Sequence, residues 1–316
     1  MFTQRKLTNA LPNNLTKHFV AHRGANNESP GNTLPHLPEN TMPALLEAYK
    51  KGASYVECDI HLTADHKIIV LHDETLRRTT RFNSEMVKSL TEAEYNSIID
   101  EGVSLLSYDK QISQVDAGCY ADYLNNRYRG TQVPLLSDFL NQLTGAPDRK
   151  LVVELKKGDR AIVTFLTKLI MQYNLPSDQL IFISFDFNLI AELKTNLPEY
   201  KHLVLTVSNK KLNADSVEIP VDDASDLTKV IESVKKAKLD GIDLQYNSSL
   251  ISLIPIIREQ QLLTAVWTYS KDDNMTMIRE MLAAGADFIN TNQPEYVFSE
   301  LAKPELRSTH LSAPGM

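Results

Sequence analysis

The sequence predicts a (β/α)8 barrel carrying a small insertion after its second strand. Two observations predict it. Short runs of Val, Ile and Leu alternate with longer amphipathic stretches from end to end, the pattern of parallel strands buried on both faces and joined by crossover helices. With one extra strand set aside there are eight such runs, each followed by a helix-like stretch, which favours a closed barrel over an open doubly wound sheet. The 316 residues would suggest two domains at about 150 residues each, but a barrel uses such a length as one. One domain over 1–316 is expected, with its core at about 18–301.

The strands fall in order at 18–22, 55–60, 151–155, 180–184, 202–207, 241–244, 263–267 and 287–290. The run at 68–71 is the extra strand, continuing the second loop. Helices are expected at 41–51, 135–143, 159–173, 188–196, 224–238, 250–260, 271–284 and 295–301. Gly52 and Gly285 follow helix ends, where a left-handed cap residue is needed. Residues 74–134 break the rhythm. They are charged and tyrosine-rich without a clear strand–helix repeat, and read as the insertion. Residues 303–316 read as a tail.

Composition excludes several classes. Lys and Arg total 33 against 40 Asp and Glu, a formal charge of -7. That opposes general nucleic-acid binding, which needs a positive field. Two cysteines, Cys58 and Cys119, make no disulfide framework and no zinc spacing. No apolar leader and no run near the ~18 residues of a membrane span occurs. The expectation is a soluble cytoplasmic protein acting on a small molecule, with no nucleic-acid partner, no membrane insertion and an unassigned oligomeric state.

Barrel sites form at the C-terminal ends of strands, so the polar residues there carry the chemistry. Glu57 and Asp59 stand two apart on a strand and share its inward face with Tyr55 and His61, while Val56, Cys58 and Ile60 point toward helices. Glu154 lies on the next barrel strand. Two inward carboxylates need positive charge between them. A hard divalent cation with Glu57, Asp59 and Glu154 as ligands would supply it, as would an ion-pair network with Arg23 and Lys156. His22 and His72 end strands near this cluster, and imidazoles that titrate near neutrality can give and take protons. Arg23 and Lys156 would serve an anionic substrate. Together these describe phosphoester hydrolysis better than hydride or acyl transfer. The Gly-rich, Walker, nucleophile-elbow and HExxH motifs are all missing.

Those residues resemble the signature of the glycerophosphodiester phosphodiesterases. The resemblance runs through His22-Arg23-Gly24, Pro38-Glu39-Asn40-Thr41, Glu57-x-Asp59, Leu62-Thr63-x-Asp65, His72-Asp73, Arg78-Thr79-Thr80, Val153-Glu154-x-Lys156, Ser184-Phe185 and Trp267-Thr268. It implies a (β/α)8 barrel that hydrolyses glycerophosphodiesters to glycerol 3-phosphate and an alcohol. Glu57, Asp59 and Glu154 would hold one divalent metal, Mg²⁺ or Ca²⁺, and His22 and His72 would be the acid–base pair. Arg23 would hold the phosphodiester, Lys156 would neutralise the phosphorane, and Trp267 would wall the glycerol carbons. A lysophospholipase D or phosphatidylinositol-cleaving enzyme is the alternative, and a non-catalytic binding protein the more distant one.

Two departures from the family pattern are expected to affect substrate preference only. The loop 25–37 is long, and Asn292 stands where the family commonly has Asp, at the rim and out of touch with the core residues. Head-group selection is expected from this loop and from the insertion 74–134, whose Tyr108, Tyr120, Tyr123 and Tyr128 either attract a quaternary ammonium with their faces or pack the insertion's own small core.

Overall fold

A computed structural model describes residues 16–26, 37–118, 127–208, 218–268 and 274–303. In chain order its strands are β1 (Phe19–Ala21), β2 (Tyr55–Leu62), β3 (Ile68–Val70), β4 (Lys150–Leu155), β5 (Leu180–Ser184), β6 (Lys201–Val207), β7 (Ile219–Pro220), β8 (Gly241–Gln245), β9 (Leu263–Trp267) and β10 (Phe288–Thr291). The helices are α1 (Met42–Lys50), α2 (Glu92–Ile98), α3 (Leu136–Asn141), α4 (Ala161–Tyr173), α5 (Phe187–Asn196), α6 (Ala224–Lys236), α7 (Ser248–Ile251), α8 (Ile254–Glu259), α9 (Met275–Ala284) and α10 (Pro294–Leu301). Strands β1, β2, β4, β5, β6, β8, β9 and β10 are all parallel, and β1 pairs with both β10 and β2. The sheet therefore closes into the (β/α)8 barrel.

Alternation along each strand sorts the core into two layers. Val56, Cys58 and Ile60 of β2 face outward and pack with helix residues such as Leu45, Leu140 and Ile170. Tyr55, Val152, Ile181, Leu203 and Phe288 face inward and plug the barrel, with Tyr55 and Phe288 meeting edge to face at 5.1 Å. Above this plug the inward positions turn polar, at Glu57, Asp59, Glu154, Asp243 and Asn290, all buried. The barrel is closed by apolar packing below and charged above.

The run at 68–71 forms β3, antiparallel to β2 with Ile60 opposite Val70. Beyond it the insertion builds its own core around Leu76, Tyr95, Val103, Leu106, Ile112 and Val115. It contains α2, which the sequence reading left without a helix. Thr91 caps that helix, and Thr91 and Glu94 close a reciprocal capping box. The helix expected over 250–260 is broken into α7 and α8, because Pro255 sits in the first turn of α8 and cannot donate to a continuous ladder. Gly285 caps α9 at φ 90°, as its position implied. Asn174 performs the same role for α4 at φ 48°.

Candidate active site

The turn after β1 is the first element of the site. Arg23 and Gly24 both take left-handed backbone angles, φ 54° and 84°. A Cβ on Gly24 would lie 2.7 Å from the backbone of Ala44, so only glycine fits there. The turn points the Arg23 amide at Glu57, donating to Oε2 at 2.9 Å. Asn40, also left-handed, grips Asp59 twice. Its Nδ2 donates to Asp59 Oδ2 at 2.7 Å, and its Oδ1 accepts from the Asp59 amide at 3.2 Å.

Register brings the carboxylates together. Asp59 of β2 lies directly beside Glu154 of β4. One oxygen each from Glu57, Asp59 and Glu154 fall within 4.8 Å of one another. Lys156 Nζ lies 2.8 Å from Asp59 Oδ1 and 2.6 Å from Glu154 Oε1, and Arg23 Nε lies 3.4 Å from Asp59 Oδ2. The acid set and the ion-pair set thus coexist rather than exclude each other. Burial, then Asp59 and Glu154, pushes Glu57 well above the ordinary carboxylate range. Burial opposes ionisation of Asp59 too, but Lys156, His72 and Arg23 outweigh it and hold Asp59 well below. Glu57 Oε1 is buried with no hydrogen-bond partner among the described residues. An all-oxygen set with one orphaned atom and a carboxylate driven toward protonation fits a hard divalent cation.

Both histidines reach this cluster. His22 Nδ1 lies 2.6 Å from Asn292 Oδ1, and its Nε2 lies 3.9 Å from Glu57 Oε2. Burial, and next the Arg23 charge, lowers its pKa to about 3, so the ring is neutral at pH 7. His72 Nδ1 lies 2.7 Å from Asp73 Oδ1. His22, Arg23, Glu57, His72, Glu154, Lys156 and Trp267 line one cavity of about 350 Å³. Its opposite wall is apolar, made by Ile183, Phe185, Leu205 and Trp267. Phe185 meets Trp267 edge to face at 5.7 Å, and Trp267 Nε1 donates to the Thr206 carbonyl at 3.1 Å. A larger groove of about 770 Å³ lies around Lys17, Tyr49 and Lys150, at the opposite, N-terminal ends of β2 and β4. It lacks the histidines and the carboxylate trio, so the smaller cavity is the candidate site.

One expectation needs correction, and the alternative left open for the tyrosines is decided for Tyr108. Asn292 does touch the core set, since it is the Nδ1 partner of His22. The two are 270 positions apart and meet only because the barrel closes β10 on β1. Tyr108 does not face the cavity. It packs on the insertion core and donates its hydroxyl to the Val133 carbonyl at 3.1 Å. Tyr128 stacks under Arg127 at 5.8 Å and does not line the cavity. Tyr120, Tyr123, Cys119 and most of the loop 25–37 lie outside the described residues. Glu39 and Arg78 were read only as motif letters. In the structure Glu39 is buried and accepts from both Arg23 and Arg78, and its place in the Pro38-Glu39-Asn40-Thr41 motif was the available signal. No helix among the described residues is long and apolar enough to cross a membrane.

Comparison with known proteins gives one consistent result. The profile of the glycerophosphoryl diester phosphodiesterase family matches residues 22–295. A glycerophosphodiester phosphodiesterase of Caldanaerobacter subterraneus subsp. tengcongensis is 26% identical over 304 residues, covering 90% of this chain and 97% of its own. The crystal structure of a glycerophosphodiester phosphodiesterase from Agrobacterium tumefaciens matches with a TM-score of 0.63 at 24% identity, over 90% of this chain and 99% of that one. A phosphodiesterase of Oleispira antarctica, solved in complex with the product sn-glycerol-3-phosphate, matches with a TM-score of 0.67 at 18% identity, over 93% and 98%. At these identities the two structures speak to the fold.

Proposed function

Because the chain belongs to the glycerophosphoryl diester phosphodiesterase family, we propose that it hydrolyses glycerophosphodiesters to glycerol 3-phosphate and an alcohol, by metal-dependent catalysis with two histidines. The observation that carries this reading is the convergence of Glu57, Asp59 and Glu154 with His22 and His72 on one cavity. The three carboxylates hold one divalent ion, Mg²⁺ or Ca²⁺, both of which prefer oxygen donors. When bound, the ion supplies Lewis-acid charge against the phosphodiester oxygens.

The chain's own residues do the rest. Arg23 binds the phosphodiester, held in place by Glu39. Lys156 sets its ammonium between Asp59 and Glu154 and answers the charge that grows on phosphorus in the transition state. One histidine takes the proton of the glycerol 2-hydroxyl or of a water through Nε2, and the other protonates the leaving alcohol. In each ring Nδ1 is engaged, by Asn292 or by Asp73, which leaves Nε2 for the substrate. Trp267 and Phe185 cover the glycerol carbons. Among the described residues four apolar side chains form that wall, enough to cover a glycerol, and on this reading small glycerophosphodiesters rank ahead of lysolipids. The test is release of glycerol 3-phosphate from a panel of glycerophosphodiesters with and without chelator. Failure to release it from any member with Mg²⁺ or Ca²⁺ present overturns the reading.

A further inference from the structure

Around His72 the charged residues form a continuous chain that ends on Arg23, and of its members only Arg78 has no part in the proposed chemistry. Asp73, which engages His72 Nδ1, is gripped twice by Arg78. The guanidinium Nε donates to Asp73 Oδ2 at 2.8 Å, and Nη2 donates to Oδ1 at 2.8 Å. The same guanidinium grips Glu39 twice more, Nη1 to Oε2 at 2.8 Å and Nη2 to Oε1 at 2.7 Å. Glu39 Oε1 also accepts from Arg23 Nη1 at 3.0 Å. Burial opposes charge on Glu39, but Arg23 and Arg78 outweigh it and keep its carboxyl ionised. One carboxylate therefore separates two guanidinium groups that would otherwise repel, and anchors both.

Arg78 itself does not line the cavity, and its side chain is 41% exposed. Ion pairs at such exposure add little to stability. What a four-donor fork on two carboxylates does fix is direction, because the guanidinium is planar and its donors diverge at set angles. Asp73 then cannot swing, and the ring of His72 cannot turn about its bond to Asp73.

We propose that Arg78, seated on Glu39, is a positioning residue that locks Asp73 and so aims His72 Nε2 at the phosphodiester held by Arg23. The proposal rests on His72 acting in acid–base catalysis.

The test compares Arg78→Lys, Arg78→Ala and Asp73→Asn, each alone and combined with His72→Ala. Folding is checked by thermal melting and divalent-ion binding by calorimetry. Arg78→Lys keeps the charge and loses the fork. It is expected to lower kcat roughly 10- to 100-fold, as Arg78→Ala and Asp73→Asn do, the size of loss that small misplacement of a reacting group brings. KM should stay within about threefold, because substrate binding is not what is lost. On the His72→Ala background the further loss should shrink to under about twofold, the mark of two residues acting as one unit. Ion affinity should be unchanged. Near-normal kcat in Arg78→Lys, losses that multiply with His72→Ala, or weakened ion binding would each overturn the proposal alone. A folded His72→Ala enzyme of full activity would overturn the assignment of His72, and the proposal with it.

Discussion

Asn292 and Asp73 give the two histidines unlike neighbours, a neutral amide for His22 and a carboxylate for His72. General acid–base groups contribute typically 10²–10⁴-fold, so His22→Ala and His72→Ala are each expected to lose about that much turnover while remaining folded. Near-normal rates in either variant would take that ring out of the mechanism. Asn292→Leu keeps the volume and leaves His22 Nδ1 without its acceptor, and it should lower kcat on every head group alike. Asp243 offers a different test. It is buried in the barrel, accepts from Asn290 Nδ2 at 3.2 Å, and has Oδ1 without a partner among the described residues. Burial, and to a smaller degree Glu154, raises its pKa from 3.8 to about 8. The folded state thus keeps a proton that the unfolded state has released. Stability from this group is whole below pH 3.8 and is lost as pH rises toward 8. Asp243→Asn should therefore flatten the fall in melting temperature between those values, and an unchanged slope would show that Asp243 is ionised in the fold.

Elements that bury both faces were the most legible in the sequence. The eight barrel strands stand where apolar runs predicted them, since a strand buried on both faces is mostly apolar and turns polar only where its inward face carries the site. Short-range punctuation was read less completely. Pro255 splits α7 from α8, and the Thr91–Glu94 box opens α2 inside a stretch read as irregular. Contacts across the barrel seam and the tie between Glu39 and Arg78 are set by closure, which no local window contains. That is why the carboxylates, the histidines and the cations Arg23 and Lys156 were legible from strand position and motif, while Asn292 and Asp73 were not recognised as histidine partners. The turn between β2 and β3 shows what the local signal can hide. Asp65 accepts from Thr63, Ser107 and the amides of Tyr108 and Asp109, and so pins the insertion to the hairpin. Burial opposes its ionisation, but the hydrogen bonds from Thr63, Tyr108, Asp109 and Ser107 together outweigh it and hold its carboxyl below the ordinary range. Asp65→Ala should speed hydrogen exchange at the amides of Tyr108 and Asp109 well before the barrel strands respond. Uniform exchange across both would mean that the hairpin contact does not govern docking.

Across the whole molecule, an ion held by the carboxylate trio would favour the folded chain. Three buried acids face two cations at close range, and a ligand that binds only the folded state adds about 2.7 kcal/mol when present at a hundred times its dissociation constant. Added Mg²⁺ or Ca²⁺ should raise the melting temperature of the native chain, and chelation should reverse the shift and abolish turnover. Glu57→Gln should weaken both effects together. A melting temperature indifferent to either ion would remove the trio from metal binding. The core that the insertion shares with its stem limits how lineages can diverge. His72, Asp73 and Arg78 sit just beyond β3, and Ile69, Leu71 and Leu76 of the same stretch belong to one buried cluster with Tyr95, Val103, Leu106, Ile112 and Val115. Drift within that cap must therefore preserve the side chains that lean on the stem, and a laboratory exchanging the cap has to keep Ile69, Leu71, Leu76 and what packs on them.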